Sequence, residues 1–173
     1  MIETARLLLR PWRDMDLEAF WAMACDRAVM RYMPPLSRAR CEKLVERMTV
    51  MQAEHGHCLW ALERKTDGRF IGFCGIIPPV SPTFEYEIGW RLASDAWGQG
   101  YAREAAEASL DWAWRRLITP AIVAITTREN ARSWGLMERL GMTRCPDEDF
   151  KHPGIAKNDP LRPHVLYRIH RPR

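Results

Sequence analysis

Residues 94–106 read SDAWGQGYAREAA, and no other stretch limits the fold as tightly. Gly98 and Gly100 stand one residue apart, between an alternating apolar run and an alanine-rich helical pattern. Glycine costs conformational entropy in regular structure, so the pair marks a loop that needs unusual dihedrals or close approach to its backbone. A strand, a glycine loop and a helix in that order make a ready anion site. The first amides of a helix lack partners, and its dipole is positive there.

The flanks support that order. Phe84, Tyr86, Ile88, Trp90 and Leu92 alternate with Glu85, Glu87, Gly89 and Arg91, the period of a half-buried strand. This reading puts two carboxylates on one face. After the glycines, Ala105, Ala106, Ser109, Leu110, Ala113, Trp114 and Leu117 keep a 3.6-residue period up to Pro120, which predicts a long amphipathic helix.

Towards the N-terminus, RLLLR at 6–10 predicts a first strand. Asp14 or Asp16 is then available to cap a helix that puts Leu17, Phe20, Trp21 and Ala24 on one stripe. Ser37 is a second cap, and Cys41, Leu44, Val45, Met48 and Met51 repeat at helical spacing until Gly56. These two helices are expected to cover a sheet. Residues 57–64 and 69–77 flank the turn Thr66-Asp67-Gly68 and predict a hairpin. Ala121–Thr127 reads as a buried strand, Ala131–Leu140 as a helix stopped by Gly141, and His164–His170 as a last strand after a proline-rich loop. Strands and helices alternate only in the second half. The predicted class is α/β (α+β): one domain over residues 1–173, with a mixed, mostly antiparallel central sheet flanked by helices.

Composition narrows the function. The 26 basic and 22 acidic residues are spread along the chain, which fits a solvated surface and no nucleic-acid partner. The five cysteines form no C-x-x-C pair, so neither a disulfide framework nor a metal site is expected, and each reads as a small buried hydrophobe. No apolar run reaches membrane-spanning length. A cytoplasmic protein without a membrane partner is the expectation.

Three phosphate-binding patterns compete for the glycine loop. A P-loop needs Lys after its last glycine, but the next Lys beyond Gly100 is Lys151. A dinucleotide fingerprint needs glycine where Arg103 stands. The third pattern is a coenzyme A pyrophosphate cradle. Here Glu87-Ile88-Gly89, then Trp97-Gly98-Gln99-Gly100-Tyr101-Ala102, resembles the GNAT superfamily of acyl-CoA N-acyltransferases, in particular its RimJ/RimL-type branch. Asn130-Ala131-Arg132-Ser133 and Leu140-Gly141-Met142 continue the resemblance, as do the first strand and the closing His164–Arg168 segment. It covers nearly the whole chain.

The resemblance implies an N-acetyltransferase with acetyl-CoA as cosubstrate, no metal and direct transfer to an amine. Backbone amides from Gln99 through Gly100, Tyr101 and Ala102 to Arg103 would hold the pyrophosphate, Trp97 and Gly98 belong to the same cofactor-binding loop, and Arg103 is either an ion partner or a solvent-facing residue. Asn130 is a pantetheine contact or a helix cap. Ser133 matches the proton donor to the CoA sulfur, and Met137 stands where much of the superfamily has a Tyr. Glu87 is the leading base, with Glu85, His152 and water as alternatives. An α-amine near pKa 8 is roughly 10% neutral at pH 7, against about 0.04% for a Lys amine. That difference fits the acceptor that the RimJ/RimL-type resemblance implies, a protein N-terminus, with a small-molecule amine or a noncatalytic acyl-CoA-binding role as alternatives. The first 56 residues are expected to shape the acceptor pocket, and a homodimer is compatible with the resemblance.

Overall fold

The computed structural model describes residues 1–172. Its strands are β1 (Ile2–Glu3), β2 (Leu7–Arg10), β3 (Leu59–Arg64), β4 (Arg69–Ile77), β5 (Glu87–Leu92), β6 (Ala121–Thr127), β7 (Thr143–Arg144), β8 (Phe150–Lys151) and β9 (Pro163–His170). The helices are α1 (Asp16–Cys25), α2 (Arg38–His55), α3 (Tyr101–Arg116) and α4 (Ala131–Arg139). All nine strands join one sheet in the order β1-β2-β3-β4-β5-β6-β9-β7, with β8 also paired to β9. Every pairing is antiparallel except β5 with β6. This is the mixed, mostly antiparallel sheet that the sequence predicts.

β4 shows how the layers form. Phe73 meets Phe20 of α1 edge-on at 5.8 Å, while the next residue, Cys74, lies 3.8 Å from Ser109 of α3. Successive side chains of a strand point to opposite faces, so α1 and α2 cover one face and α3 the other. That is why β4 is apolar almost throughout instead of alternating. Burying a side chain such as Phe20 or Ile76, both 0% exposed, contributes about 1.5–3 kcal/mol.

α2 begins and ends where the sequence places it. Ser37 accepts from the Arg40 amide, and Gly56 closes the helix in the left-handed region. α1 differs, because its cap position is Met15 and makes no side-chain bond. Asp16 is buried instead, and its carboxylate takes two hydrogen bonds from Arg10 at 2.7 and 2.8 Å and one from the Arg13 amide at 2.8 Å. Glu63 accepts from Arg10 at 2.6 Å. One arginine thus ties β2, α1 and β3 together.

Two further expectations are corrected. Phe84 is 72% exposed and lies at φ 55°, so the strand begins only at Glu87. The preceding segment contains Pro78, Pro79 and Pro82, which lack the amides that a ladder needs. The Phe84 amide closes a turn onto the Val80 carbonyl. Cys25 is exposed and Cys145 half-buried, whereas Cys41, Cys58 and Cys74 are buried as predicted. Among the described residues no helix is long and apolar enough to cross a membrane.

The parallel pair positions the site. β5 and β6 share one registered position, Glu87 opposite Val123, where the Val123 amide donates to the Tyr86 carbonyl at 2.9 Å. Beyond it the facing edges form no ladder, and the sheet opens into a cleft. Removing one partner of a buried ion pair leaves a charge unmatched. Because Glu63 still pairs with Arg10, Asp16→Ala should lower unfolding free energy by about 1.5–3 kcal/mol, measured by urea denaturation.

Candidate active site

The glycine loop is held from several sides. The Trp97 indole donates to the Leu92 carbonyl at 2.9 Å, and Gln99 donates to the Asp95 carbonyl at 2.9 Å. Gly98 and Gly100 lie at φ 72° and 82°, a region that side-chain-bearing residues enter only at a cost. Space above both is open, with the Arg6 guanidinium 3.4 Å from the Cβ position of Gly100 as the nearest atom. Among the described residues the backbone amides of 98–103 find no acceptor, and the first helical bond is Glu104 to Gly100. These free amides at the positive end of α3 fit a pyrophosphate.

Sequence reasoning missed the residues that brace this loop. Arg6 donates to the Gln99 carbonyl at 2.8 Å and to Glu104 at 2.7 Å, and it lies 4.6 Å over the Tyr101 ring. Glu104 also accepts from the Thr4 hydroxyl at 2.6 Å and the Arg6 amide at 2.8 Å. Burial opposes ionisation of Glu104, but the bonds from Thr4 and Arg6 outweigh it and hold the carboxyl below its usual range. Arg132, at the start of α4, sits 4.5 Å over the Trp97 ring and brings a cation to the loop from across the cleft. Arg103 pairs with Glu107 at 2.7 Å and is exposed. No local spacing could reveal these partnerships, since Arg6 and Glu104 are 98 residues apart.

Glu87 sits at the one bridge between β5 and β6, on the face turned to α2. It keeps some surface, yet protein atoms crowd its carboxyl, and desolvation pushes its pKa up to about 7, with Arg47 of α2 acting in the opposite direction. Glu85 lies before the strand and is engaged by Arg168 at 2.6 and 3.2 Å. The two carboxylates are therefore not a pair. His152 follows β8 on the outer side of β9, where its ring lies 5.0 Å from His164 and accepts from the Gly154 amide. Burial, then the neighbouring His164, lowers its pKa. With β9 and β6 between β8 and β5, His152 stands roughly 14 Å from β5 by strand spacing. The structure brings Glu87 to the cleft and leaves Glu85 and His152 elsewhere.

Asn130 caps α4. Its side-chain oxygen accepts from the Ser133 amide at 3.4 Å, and its nitrogen donates to the Thr126 hydroxyl at 3.0 Å. Ser133 is half-buried, and its hydroxyl makes no hydrogen bond among the described residues. Met137, 1% exposed, points into the core and offers no proton. Among the described residues no group of three or more His, Cys, Asp or Glu is placed to hold a metal.

A mixed sheet that parts at its parallel pair, with an anion-ready loop beside the gap, defines an acyltransferase class of fold. Residues 6–143 match the model of the acetyltransferase (GNAT) domain. The chain belongs to that family and is an N-acetyltransferase. It is 28% identical over 170 residues to an uncharacterised N-acetyltransferase, YnaD, of Bacillus subtilis, covering 97% of this chain and 95% of the relative. An acetyltransferase structure from Agrobacterium tumefaciens aligns at TM-score 0.78 and 28% identity over 98% of this chain and 93% of that one. Two more distant structures share the fold. One is a Vibrio cholerae spermidine N-acetyltransferase with CoA and spermine (TM-score 0.74, 19% identity, 97% of both chains). The other is RimL, a ribosomal L7/L12 α-N-protein acetyltransferase with coenzyme A (TM-score 0.76, 15% identity, 96% and 95%).

The carboxyl of Glu87 can be checked without any substrate. Its folded pKa, about 7, lies above the ordinary 4.5, so ionisation opposes folding. Stability from the neutral form is complete below about pH 4.5 and is lost as pH rises through about 7. Glu87→Gln should match the wild type near pH 4 and exceed it by up to roughly 3 kcal/mol at pH 8, read from urea denaturation at each pH.

Proposed function

We propose that this enzyme transfers the acetyl group of acetyl-CoA to the free α-amine of a protein or peptide N-terminus, directly, within a ternary complex. One observation carries the reading: a carboxyl with a pKa of about 7 stands where β5 and β6 part, beside a loop whose amides are free for a pyrophosphate. A base works best when its pKa lies near the operating pH. At pH 7 an α-amine near pKa 8 is neutral far more often than a Lys-type amine near 10.4. That comparison favours an N-terminal acceptor over a polyamine. RimL, a ribosomal L7/L12 α-N-protein acetyltransferase, shares the fold.

Each residue then has a role. The amides of Gly98 to Arg103 hold the pyrophosphate, Arg132 adds a cation, and Trp97 supports the turn. Arg103, paired with Glu107, stays at the margin. Asn130 positions the start of α4 and, with it, Ser133. Acetyl-CoA supplies an activated thioester carbonyl. Glu87 accepts the proton given up by the amine, directly or through water, as the N–C bond forms. The Ser133 hydroxyl donates a proton to the departing thiolate as the C–S bond breaks, and solvent restores it. The products are an acetylated amine and the free thiol, so charge and atoms balance.

Glu87→Gln should lower kcat/KM by about 10²–10⁴-fold and abolish the rising limb of the pH profile near 7; an unchanged profile would remove Glu87 from the mechanism. Gly100→Glu, which places bulk and negative charge in the loop, should abolish acetyl-CoA binding by calorimetry. Arg132→Ala should raise KM for acetyl-CoA about 10-fold, in line with loss of one charge-assisted contact, while kcat changes less. CoA thiol release with free but not blocked N-termini supports the acceptor reading. Release only with small amines would transfer the function to metabolite modification, and silence with every amine would favour a binding module.

A further inference from the structure

The face of β5 turned to α1 and α2 carries a second ionisable side chain, Arg91, which the chemistry above does not use. Arg91 lies opposite Phe73 in register, with its guanidinium 5.2 Å from that ring. Its nearest polar contact is the Met30 sulfur at 4.0 Å, and Cys41 of α2 is the ionisable group beside it. Its Nε is enclosed without an acceptor, and among the described residues no carboxylate pairs with it. Arg10 and Arg168 differ: Arg10 holds Asp16 and Glu63, and Arg168 holds Glu85 and Glu148.

A guanidinium stripped of water and left without an anion is costly. Desolvation accordingly brings the pKa of Arg91 down to about 10. The residue nevertheless keeps part of its surface, and Nε is the only one of its nitrogens that is enclosed without a partner. A planar fork of this kind matches a carboxylate with two parallel hydrogen bonds.

We infer that Arg91 recognises the acceptor, binding a carboxylate of the substrate while the amine lies at Glu87. This rests on the acetyl-transfer reading of the same cleft. Glu87 and Arg91 are four residues apart on one strand, about 13 Å between Cα atoms. The amine and carboxylate of one α-amino acid are too close together to reach both. An extended peptide advances about 3.3 Å per residue, so an Asp or Glu side chain at its second or third position has the required reach. The acceptor is then an N-terminus with an acidic residue among its first three, and a polyamine, which carries only cations, is repelled. A long-chain amino acid offers the same carboxylate from a small molecule.

The test uses peptides with a free N-terminus and Glu or Gln at positions 2 and 3, the same peptides blocked, and 6-aminohexanoate. Binding is measured by calorimetry with CoA present, and turnover by thiol release. Wild type should bind the Glu peptide roughly 10- to 100-fold tighter than the Gln peptide, the range of a charged hydrogen-bonded contact. Arg91→Met should bring that ratio to within about twofold while raising Tm, because an apolar side chain replaces a buried unpaired charge. Arg91→Lys, which keeps the charge and loses the fork, should give an intermediate ratio. Equal binding by wild type, or a ratio that survives in Arg91→Met, overturns the assignment. Tight binding of the Glu peptide without thiol release would sink the transfer reading and leave the carboxylate site standing. A preference for 6-aminohexanoate over the peptide would keep the carboxylate and identify its source as a small molecule.

Discussion

The structure turns on a single strand pairing. β5 and β6 run parallel and meet at one position, after which two well-bonded half-sheets diverge. Each half is held by its own long antiparallel ladders, β3 to β5 on one side and β6 with β9 on the other. Backbone groups along the parted edges are free, a condition that sheets ordinarily avoid because unpaired edges recruit other strands. Here the gap is flanked by the glycine loop, α4 and the face of β5 that bears Glu87. A tighter sheet would bury more backbone hydrogen bonds and leave no room for chemistry.

Electrostatics around the gap follow a consistent pattern. Away from it, charges such as Arg10, Asp16 and Glu63 match one another. Around it they are unmatched: free amides at the mouth of α3, a carboxyl held near pKa 7 at Glu87 and an arginine without a carboxylate at position 91. Unsatisfied polar groups cost stability wherever water is excluded. Those beside the parted strands mark a site whose partners come from outside the chain.

Much of the fold was legible from local pattern. The hairpin, the helix after the glycines, the Ser37 and Gly56 helix ends and the β6 strand depend on neighbours within a few residues, and those interactions are local in space as well. The alternating run at 84–92 was legible only in part. Its period is that of a strand, but the prolines before it deny the first positions a ladder, and Phe84 and Glu85 leave the sheet. Asp16 looked like a cap and instead anchors a buried arginine. Helix-start carboxylates favour both roles, and only the position of Arg10 decides between them.

The sequence by itself determined the glycine loop, its place between strand and helix, the Asn130 to Ser133 segment and the family they resemble. These are short-range features, set by backbone dihedrals and side-chain periodicity. Tertiary structure alone decided which carboxylate stands at the parting of the strands, that Arg6 and Glu104 brace the loop, that Arg132 approaches it from across the cleft, and that Arg91 is left without an anion. Each depends on chain segments distant in sequence coming within a few ångströms, and on how much water that approach removes. Periodicity carries no information about either.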